Sequence, residues 1–377
     1  MTGRPTKVLI VYPHLPHYRL GVFTALDARP DLDVTFASST TGRDGIATLP
    51  PSTVTRHTAL SNRYAGNVLW QRGLIRLVAT RDYDAVILLG DAAHVSSWLA
   101  AVIARARRRK VIFWTIGWHR PDVGLRKAVR LAFYRLAHQL WLYGDHGRRI
   151  GITMGFPADR LVVVRNSNDL RSPGSASGSN AEKSAIIGLV ARLTPAKRVE
   201  QLIEAAAVLR RRGAPVRVAL AGEGPATSTL RSLAVRLDVP VDFVGPLYDP
   251  ADLSAFYAPL SVTCIPAAAG LSVIQSLGHG VPVVTDDDDD SQMPEAEAVI
   301  PGLTGSRFTA GDIGDLAHRL QFWIDEMATR PEEVADACRG EIRARWNAET
   351  QVELMLDGID RLALPSRTTV DGTRRES

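Results

Sequence analysis

Residues 185–197 read AIIGLVARLTPAK, and residues 216–225 read VRVALAGEGP. Each stretch starts with a short, mostly apolar run and ends in a loop that contains Arg and Lys or Gly and Pro. The residues between the two stretches, 199–212, have the apolar spacing of an amphipathic helix. Two buried strands joined by a helix are the repeating unit of a parallel sheet covered on both faces. This part of the chain therefore predicts a doubly wound α/β domain.

The same alternation extends through most of the chain. Strands are predicted over 7–12, 32–37, 85–89, 110–115 and 140–143, and again over 185–190, 216–221, 241–244, 261–266 and 282–285. Helices are predicted over 18–28, 94–108 and 124–138, and again over 199–212, 225–237, 251–257 and 270–277, with further helix within 312–362. Two doubly wound domains in series follow from this order.

The domain boundary is predicted from composition. Residues 171–184 lack large apolar side chains and are rich in Ser, Gly and Asn, which is typical of a flexible connection. The prediction is a first domain over 1–170, a linker over 171–184, a second domain over 185–345, a C-terminal helix over 346–364 and a disordered tail over 365–377.

Composition and charge restrict the function classes. The chain has 377 residues, 45% of them hydrophobic, and a formal net charge of +5. Residues 1–170 hold 24 Lys and Arg against 11 Asp and no Glu, a balance of +13, which leaves −8 for the rest. A basic first domain favours phosphate-bearing ligands or an anionic membrane, whereas no nucleic-acid-binding motif accompanies the charge.

The expected location is the cytosol. Only two cysteines occur, Cys264 and Cys338, and they are too far apart in sequence to indicate a disulfide framework or a zinc ribbon. No run approaches the ~20 apolar residues that span a bilayer. Any membrane contact is therefore expected to be peripheral, at the inner face.

Residues with binding chemistry follow the predicted strands. Arg192 and Lys197 lie beyond the first strand of the second domain, where two cations could hold a diphosphate; a solvated loop explains them equally well. Gly222 and Gly224 follow the next strand, but a Gly-x-Gly alone is more often turn chemistry. Residues 266–270 (PAAAG) lead into a helix whose first turn could bind an anion.

The order of these motifs resembles the retaining GT-B glycosyltransferases of family 4. The motifs are KVLIVYPHLPHYR (7–19), VRNSND (164–169), GLVARLTPAK (188–197), ALAGEGP (219–225), AGLSVIQSLGHGVPVVT (269–285) and PEAEAVIPGLTG (294–305). The resemblance implies two Rossmann-like domains facing a central cleft, with the acceptor on the first, a nucleotide-diphosphate sugar on the second and the C-terminal helix crossing back to the first. It also implies metal-independent transfer with retention, without a resident cofactor.

The resemblance assigns roles to individual residues. Arg192 and Lys197 match the pair that neutralises the donor diphosphate, and His119 matches a catalytic or sugar-orienting histidine; a packed loop residue is the other interpretation of His119. The donor-binding candidates are Gly222, Glu223, Gly270, Leu271, Ser272 and Gln275. The acceptor-binding candidates are His14, His17, Tyr18 and Arg19.

The chain departs from the family at a pair of glutamates separated by seven residues. Their positions hold Ala267 and Gln275, so the usual carboxylate toward the sugar is absent, while the Gln275 amide can still reach a ribose. Glu295 or Glu297 could take over that work. The five aspartates 286–290 are interpreted as a solvated or cleft-edge loop rather than as a metal site, because adjacent carboxylates repel.

The basic residues of the first domain favour either an anionic membrane with a lipid-linked acceptor or a plain solvated face. They are Arg105, Arg107, Arg108, Arg109 and Lys110, then Arg126, Lys127, Arg130 and Arg135. The predicted acceptor is a hydroxyl of a small molecule, a polysaccharide or a lipid-linked glycan. The alternatives are a sugar-nucleotide epimerase or phosphorylase on the same architecture, or a catalytically impaired binding subunit.

Overall fold

The computed structural model describes residues 4–42, 47–168 and 185–362. The chain divides into two compact units: unit 1 comprises Met1–Tyr143, Gly147–Val164 and Ala348–Ser377, and unit 2 comprises Gly144–His146 and Arg165–Asn347. The predicted linker 171–184 and tail 365–377 lie outside the described residues.

Unit 1 is built on a seven-stranded parallel sheet with the strand order β3-β2-β1-β6-β7-β8-β9. Its strands are β1 (Thr6–His14), β2 (Leu32–Ser39), β3 (His57–Ala59), β6 (Ala85–Leu89), β7 (Lys110–Thr115), β8 (Gln139–Leu142) and β9 (Leu161–Val163), with an antiparallel hairpin of β4 (Ser61–Ala65) and β5 (Val68–Arg72). Its helices are α1 (Leu20–Asp27), α2 (Leu74–Thr80), α3 (Val95–Ala106), α4 (Gly124–Tyr134) and α12 (Ala348–Asp360), together with α5 (Asp145–Thr153), whose first two residues belong to unit 2.

Unit 2 is built on a six-stranded parallel sheet with the strand order β12-β11-β10-β13-β14-β15. Its strands are β10 (Ala185–Val190), β11 (Val216–Ala221), β12 (Val241–Gly245), β13 (Val262–Cys264), β14 (Val283–Asp286) and β15 (Gly305–Phe308). Its helices are α6 (Val199–Arg211), α7 (Thr227–Arg236), α8 (Pro250–Tyr257), α9 (Leu271–Gly278), α10 (Ile313–Thr329) and α11 (Pro331–Arg345).

The predicted fold of two doubly wound α/β units is confirmed. The strands β6, β7 and β11 are each buried except at one residue, as expected for a sheet covered on both faces. The order of unit 2 is that of a Rossmann sheet, in which the first strand has the second on one side and the fourth on the other. The hairpin β4–β5 and the short strands β3, β9 and β15 were not predicted.

The last helix, α12, belongs to unit 1. Its residues Met355 and Ile359 are buried in the same apolar cluster as Val22 and Leu26 of α1. At the surface of this contact Arg29 forms a 3.0 Å ion pair with Glu353. The chain therefore completes unit 1 only at its C-terminal end.

No helix among the described residues combines the length and the apolar character that crossing a bilayer requires.

Candidate functional site

The candidate binding position in unit 2 lies at the carboxyl ends of β10 and β13. These neighbouring strands are the point at which the strand order reverses, because β10 pairs with β11 on one side and with β13 on the other. In open α/β sheets, ligands bind beyond the carboxyl ends of the strands at such a reversal point. The loop after β10 carries Arg192 and Lys197, and the loop after β13 carries residues 266–270.

Lys197 joins these two loops. It ends a short 3₁₀ helix (Pro195–Lys197), and its Nζ atom donates a 2.5 Å hydrogen bond to the main-chain oxygen of Ala268. Ala268 has φ = 49°, in the left-handed region that side chains other than glycine rarely adopt. The ammonium group therefore stands directly beside a constrained turn at the end of β13.

A buried glutamine supports the same turn from the other side. The Oε1 atom of Gln292 accepts a 2.7 Å hydrogen bond from the Ala269 N–H, and its Nε2 atom donates to Thr285 Oγ1 at 2.8 Å and to Asp286 Oδ1 at 2.5 Å. Both amide atoms are thus engaged, which fixes the orientation of the side chain. The turn is held by side chains from two separate segments.

The N-terminus of α9 opens directly after this turn. Gly270 is its N-cap residue and makes no side-chain capping bond. Among the described residues, the main-chain N–H groups of Gly270, Leu271 and Ser272 have no protein acceptor. Uncapped N–H groups and the helix dipole together favour an anion at this point.

The electrostatics of Lys197 match such a position. Burial lowers the pKa of the Lys197 ammonium, and the nearby carboxylate of Glu295 opposes that shift. Glu295 is buried and accepts a hydrogen bond from Asn166 Nδ2 through Oε1. A Cβ atom at Gly270 would lie 3.9 Å from Glu295 Oε2, which places this carboxylate beside the start of α9.

Gly222 and Gly224 are explained by main-chain packing. A Cβ atom at Gly222 would lie 1.9 Å from the oxygen of Ala191, and one at Gly224 would lie 2.2 Å from the oxygen of Leu193. The loops after β10 and β11 pass this close because Leu193 N–H donates to the oxygen of Glu223 at 3.0 Å. The structural reason for both glycines is therefore the contact between these loops, without any requirement for a ligand.

The other unit 2 candidates are more peripheral. The side chains of Arg192 and Glu223 are exposed, and Gln275 is half-buried in the second turn of α9. Of the two glutamates considered as replacements, Glu297 is already engaged, since it accepts hydrogen bonds from the N–H groups of Asp145 and His146 at 2.9 and 2.7 Å. Glu295 alone of this pair lies beside the turn.

The unit 1 candidates follow β1 and β7. His14 ends β1, and His17 and Tyr18 belong to the 3₁₀ helix His17–Arg19, where His17 is exposed and Tyr18 is half-buried. His119 is half-buried in the loop after β7. Because β1 and β6 are the neighbours at the point where the order of this sheet reverses, the loop after β1 occupies the same kind of position as the Lys197 loop in unit 2.

Arg19 differs from the expectation of an acceptor contact. Its side chain is buried, its guanidinium stacks over the Trp114 ring at 4.4 Å, and Nη2 donates a 2.7 Å hydrogen bond to the Tyr143 hydroxyl. A guanidinium is hydrated weakly enough to pack against aromatic faces. Arg19 therefore supports the interior of unit 1 beneath the loop that carries His17.

Asp286 also differs from the solvated or cleft-edge loop that was predicted for residues 286–290. It is the last residue of β14, is fully buried, and bonds to Gln292, while Arg198 Nη1 lies 3.5 Å from its carboxylate. Burial raises its pKa. Across residues 4–42, 47–168 and 185–362, no cluster of three or more His, Cys, Asp or Glu side chains is arranged to hold a metal ion.

Residues 175–339 match the family model described as "Glycosyl transferases group 1", a span of less than half of the chain. A search of curated protein sequences found no significant match. Three solved structures with a similar fold illustrate its range of relatives.

The lipopolysaccharide outer core galactosyltransferase WaaB, in its apo form, is 14% identical with a TM-score of 0.73, over 95% of this chain and 100% of that chain. HepE of Anabaena, in complex with UDP, is 17% identical with a TM-score of 0.74, over 94% and 100%. A protein of Listeria monocytogenes named as a UDP-N-acetylglucosamine 2-epimerase is 12% identical with a TM-score of 0.61, over 96% and 97%.

These likenesses concern the fold, and they confirm the predicted GT-B class of two Rossmann-like units. The family model is independent of these structures, and its matched range includes Lys197, the turn at Ala268 and the start of α9. The family match supports a glycosyltransferase, and the solved structures support the fold.

Proposed function

We propose that this protein is a retaining glycosyltransferase that moves a sugar, expected to be a hexose, from a nucleotide-diphosphate donor to an acceptor hydroxyl. The observation that carries the proposal is the meeting of Lys197, the turn at Ala268 and the uncapped start of α9 at the carboxyl ends of β10 and β13. A cation beside free N–H groups suits a diphosphate. The proposed transfer requires no resident cofactor.

The diphosphate is the leaving group of the reaction. The bond between the anomeric carbon and the β-phosphate oxygen breaks, the acceptor oxygen bonds to that carbon on the same face, and the hydroxyl proton passes to the departing phosphate. Negative charge grows on the diphosphate as the bond breaks, so Arg192, Lys197 and the N–H groups of Leu271 and Ser272 would stabilise it most in the transition state. This is the main catalytic contribution that we assign to the chain.

The remaining residues are assigned supporting roles. His119 is proposed to orient the sugar, Gln275 to bond to the ribose, and Gly222, Glu223 and Gly270 to line the donor. His14, His17 and Tyr18 are proposed to meet the acceptor, with buried Arg19 supporting their loop. The acceptor would be a lipid-linked glycan, a polysaccharide or a small metabolite, and the protein would work in the cytosol or at the inner face of a membrane.

A screen of nucleotide sugars tests the donor first. A ligand that binds only the folded state raises the melting temperature. We would therefore compare the melting temperature of the protein with UDP-glucose, UDP-galactose and their GDP, ADP and dTDP counterparts. The UDP sugars are the first choice because HepE of Anabaena was solved with UDP-glucose and WaaB is named a galactosyltransferase. The donor that stabilises the protein is then offered with candidate acceptors, and the anomeric configuration of the product is read by NMR.

Two substitutions test the catalytic assignment. Arg192→Ala and Lys197→Ala should each lower kcat by about a hundredfold, the usual cost of removing one group that stabilises developing negative charge. Arg236→Ala, which removes an exposed cation from α7 of the same unit, should leave kcat unchanged. Unchanged turnover in both site variants would refute the assignment.

An epimerase or phosphorylase is the second candidate, supported by the likeness to the Listeria protein named as an epimerase. Conversion of the nucleotide sugar without an acceptor would identify an epimerase, and conversion that requires inorganic phosphate would identify a phosphorylase. Binding of a nucleotide sugar without any turnover would identify the third alternative, a binding subunit.

A further inference from the structure

The outward surface of α4 is apolar. Val123, the residue before the helix, and Leu125 in its first turn are each 80% exposed, and Val129 one turn later is 42% exposed. Leu125, Val129 and Ala132 lie at positions i, i+4 and i+7, so they form one stripe along the solvent side of the helix. Three other residues of α4, Leu131, Phe133 and Tyr134, already contribute to the core of unit 1.

The neighbouring helix α3 repeats this pattern. Its residues Val95, Leu99 and Val102 are all exposed, and they share the same i, i+4, i+7 spacing. The two helices are in contact, because the rings of Trp98 and Phe133 have centroids 4.9 Å apart. Two adjacent helices therefore present apolar stripes on one unit, which is uncommon for a surface that meets only water.

Cations border both stripes, and acidic residues are missing from them. No Asp or Glu occurs between Asp91 and Asp122, or between Asp122 and Asp145. The only carboxylate in this stretch, Asp122, is buried and is paired with Arg126 at 2.9 Å and with Arg130 at 2.7 Å. Its charge is therefore more than balanced within the protein.

Four more cations carry uncompensated charge toward solvent. In the part of the chain that the structure describes, these exposed side chains have no ion pair with an acid: Arg107, Arg108, Arg120 and Arg135. Mutual repulsion is evident near the end of α4, where Arg105 and Arg135 contribute to the lowered pKa of Arg160, after burial as the larger cause. A concentration of like charge of this kind attracts a surface of the opposite sign.

We propose that the outer face of α3 and α4, with Val123 and its flanking arginines, is a docking surface for an anionic lipid bilayer. Exposed apolar side chains would enter the headgroup boundary, and Arg120 and Arg135 would remain at the level of the lipid phosphates. A second copy of this chain fits the surface less well, because its own arginines would repel one another across the contact. This inference concerns unit 1 alone and holds whether or not the proposed sugar transfer is correct.

Vesicle binding of the full-length protein tests the surface. The wild type should co-sediment with vesicles of phosphatidylcholine mixed with phosphatidylglycerol, and only weakly with phosphatidylcholine alone. The double variant Leu125→Ser/Val129→Ser should lower the partition coefficient at least tenfold, the effect expected when about two CH₂ groups no longer enter the bilayer. Arg120→Gln/Arg135→Gln should lower it about 25-fold, since each surface cation contributes about fivefold, and added salt should reduce the difference.

The matched control lies on unit 2. Val235→Ser/Arg236→Gln removes an apolar side chain that is 84% exposed and an adjacent exposed cation, and it should bind vesicles like the wild type. Thermal unfolding of every variant checks that the fold is intact. Equal binding of wild type and Leu125→Ser/Val129→Ser, or equal binding to neutral and anionic vesicles, would overturn the proposal. So would a dimer in solution that the same variant abolishes while no vesicles are bound.

Discussion

The Nζ atom of Lys197 lies 2.5 Å from the main-chain oxygen of Ala268, although 71 positions separate the two residues in the sequence. They meet because β10 and β13 are neighbours in the sheet of unit 2 and the loops that follow them begin at the same edge. This contact places the half-buried Lys197 ammonium beside the start of α9. The residues between Lys197 and Ala268 in the sequence give no indication of it.

The first prediction concerns the pH dependence of diphosphate binding. Burial lowers the pKa of Lys197, and the charge of Glu295 opposes this shift. A diphosphate binds the protonated lysine, so affinity should be constant while Lys197 is charged and should fall as the pH rises through its pKa. Isothermal titration of UDP over a series of alkaline pH values measures this fall. The diphosphate of UDP is fully ionised there, and the titration of its uracil ring is common to the wild type and the variants.

Glu295→Gln should move that fall to lower pH, because it removes the carboxylate that keeps the Lys197 pKa from dropping further. Glu297→Gln is the control: it makes the same charge change two residues away, where the carboxylate instead accepts the N–H groups of Asp145 and His146. Superimposable pH profiles for wild type and Glu295→Gln would contradict the assignment.

The second prediction concerns the contact between the loops after β10 and β11. Gly222→Ala should lower the free energy of unfolding by about 3 kcal/mol or more, because its Cβ would clash with the oxygen of Ala191 and its backbone has φ = 137°. Gly311→Ala separates the two causes, since φ is 85° there but nothing lies within 4 Å of the added atom. It should cost only about 1 kcal/mol.

Urea denaturation of the two variants provides the comparison. If Gly222→Ala does not yield folded protein, Gly224→Ala offers a second test at a position without a left-handed backbone, where the clash with Leu193 acts alone. A cost for Gly222→Ala no greater than that for Gly311→Ala would show that the loops can separate freely.

The third prediction concerns acid stability and His138. Burial and then the cations Arg105, Lys110 and Arg160 lower its pKa to about 4. Between that value and the ordinary histidine pKa the unfolded chain binds more protons than the folded one, so the stability of unit 1 should decline as the pH falls through this window.

His138→Asn should make that decline shallower, by a free energy on the order of 1 kcal/mol after allowance for solvent screening. Asparagine can still accept the hydrogen bond that the Val111 N–H donates to His138 Nδ1 at 2.9 Å. Chemical denaturation at neutral and acidic pH measures the slope. Equal slopes for the wild type and the variant would exclude His138 as the cause.

The sequence predicted the sheets well because several strands are continuous apolar runs, such as 85–89 and 110–115, which are buried between the helices on both faces. It did not predict the hairpin of 61–65 and 68–72, whose first strand, SNRYA, is polar and largely exposed. Pairing with a partner strand, rather than burial, forms that element. Such pairing leaves a weak trace in composition.

The sequence predicted fewer of the contacts around the candidate site, because those contacts join segments that are far apart in the chain. Arg192, Lys197 and the loop 266–270 could be identified because each directly follows a strand. The approach of Glu295 to Gly270, and its hydrogen bond with Asn166, depend on segments far apart in the sequence. Arg19 was predicted to bind the acceptor, and Asp286 to lie in a solvated or cleft-edge loop. Both side chains are instead buried through specific partners.

The assignment of Lys197 to a diphosphate site is tested most directly by isothermal titration of UDP, GDP, ADP and dTDP into wild type, Lys197→Ala and the control Arg236→Ala. At least one of these diphosphates should bind the wild type and the control alike, and its affinity for Lys197→Ala should be about tenfold lower or weaker still, as expected for the loss of one charge-assisted contact. A diphosphate that binds Lys197→Ala as tightly as the wild type would contradict the assignment.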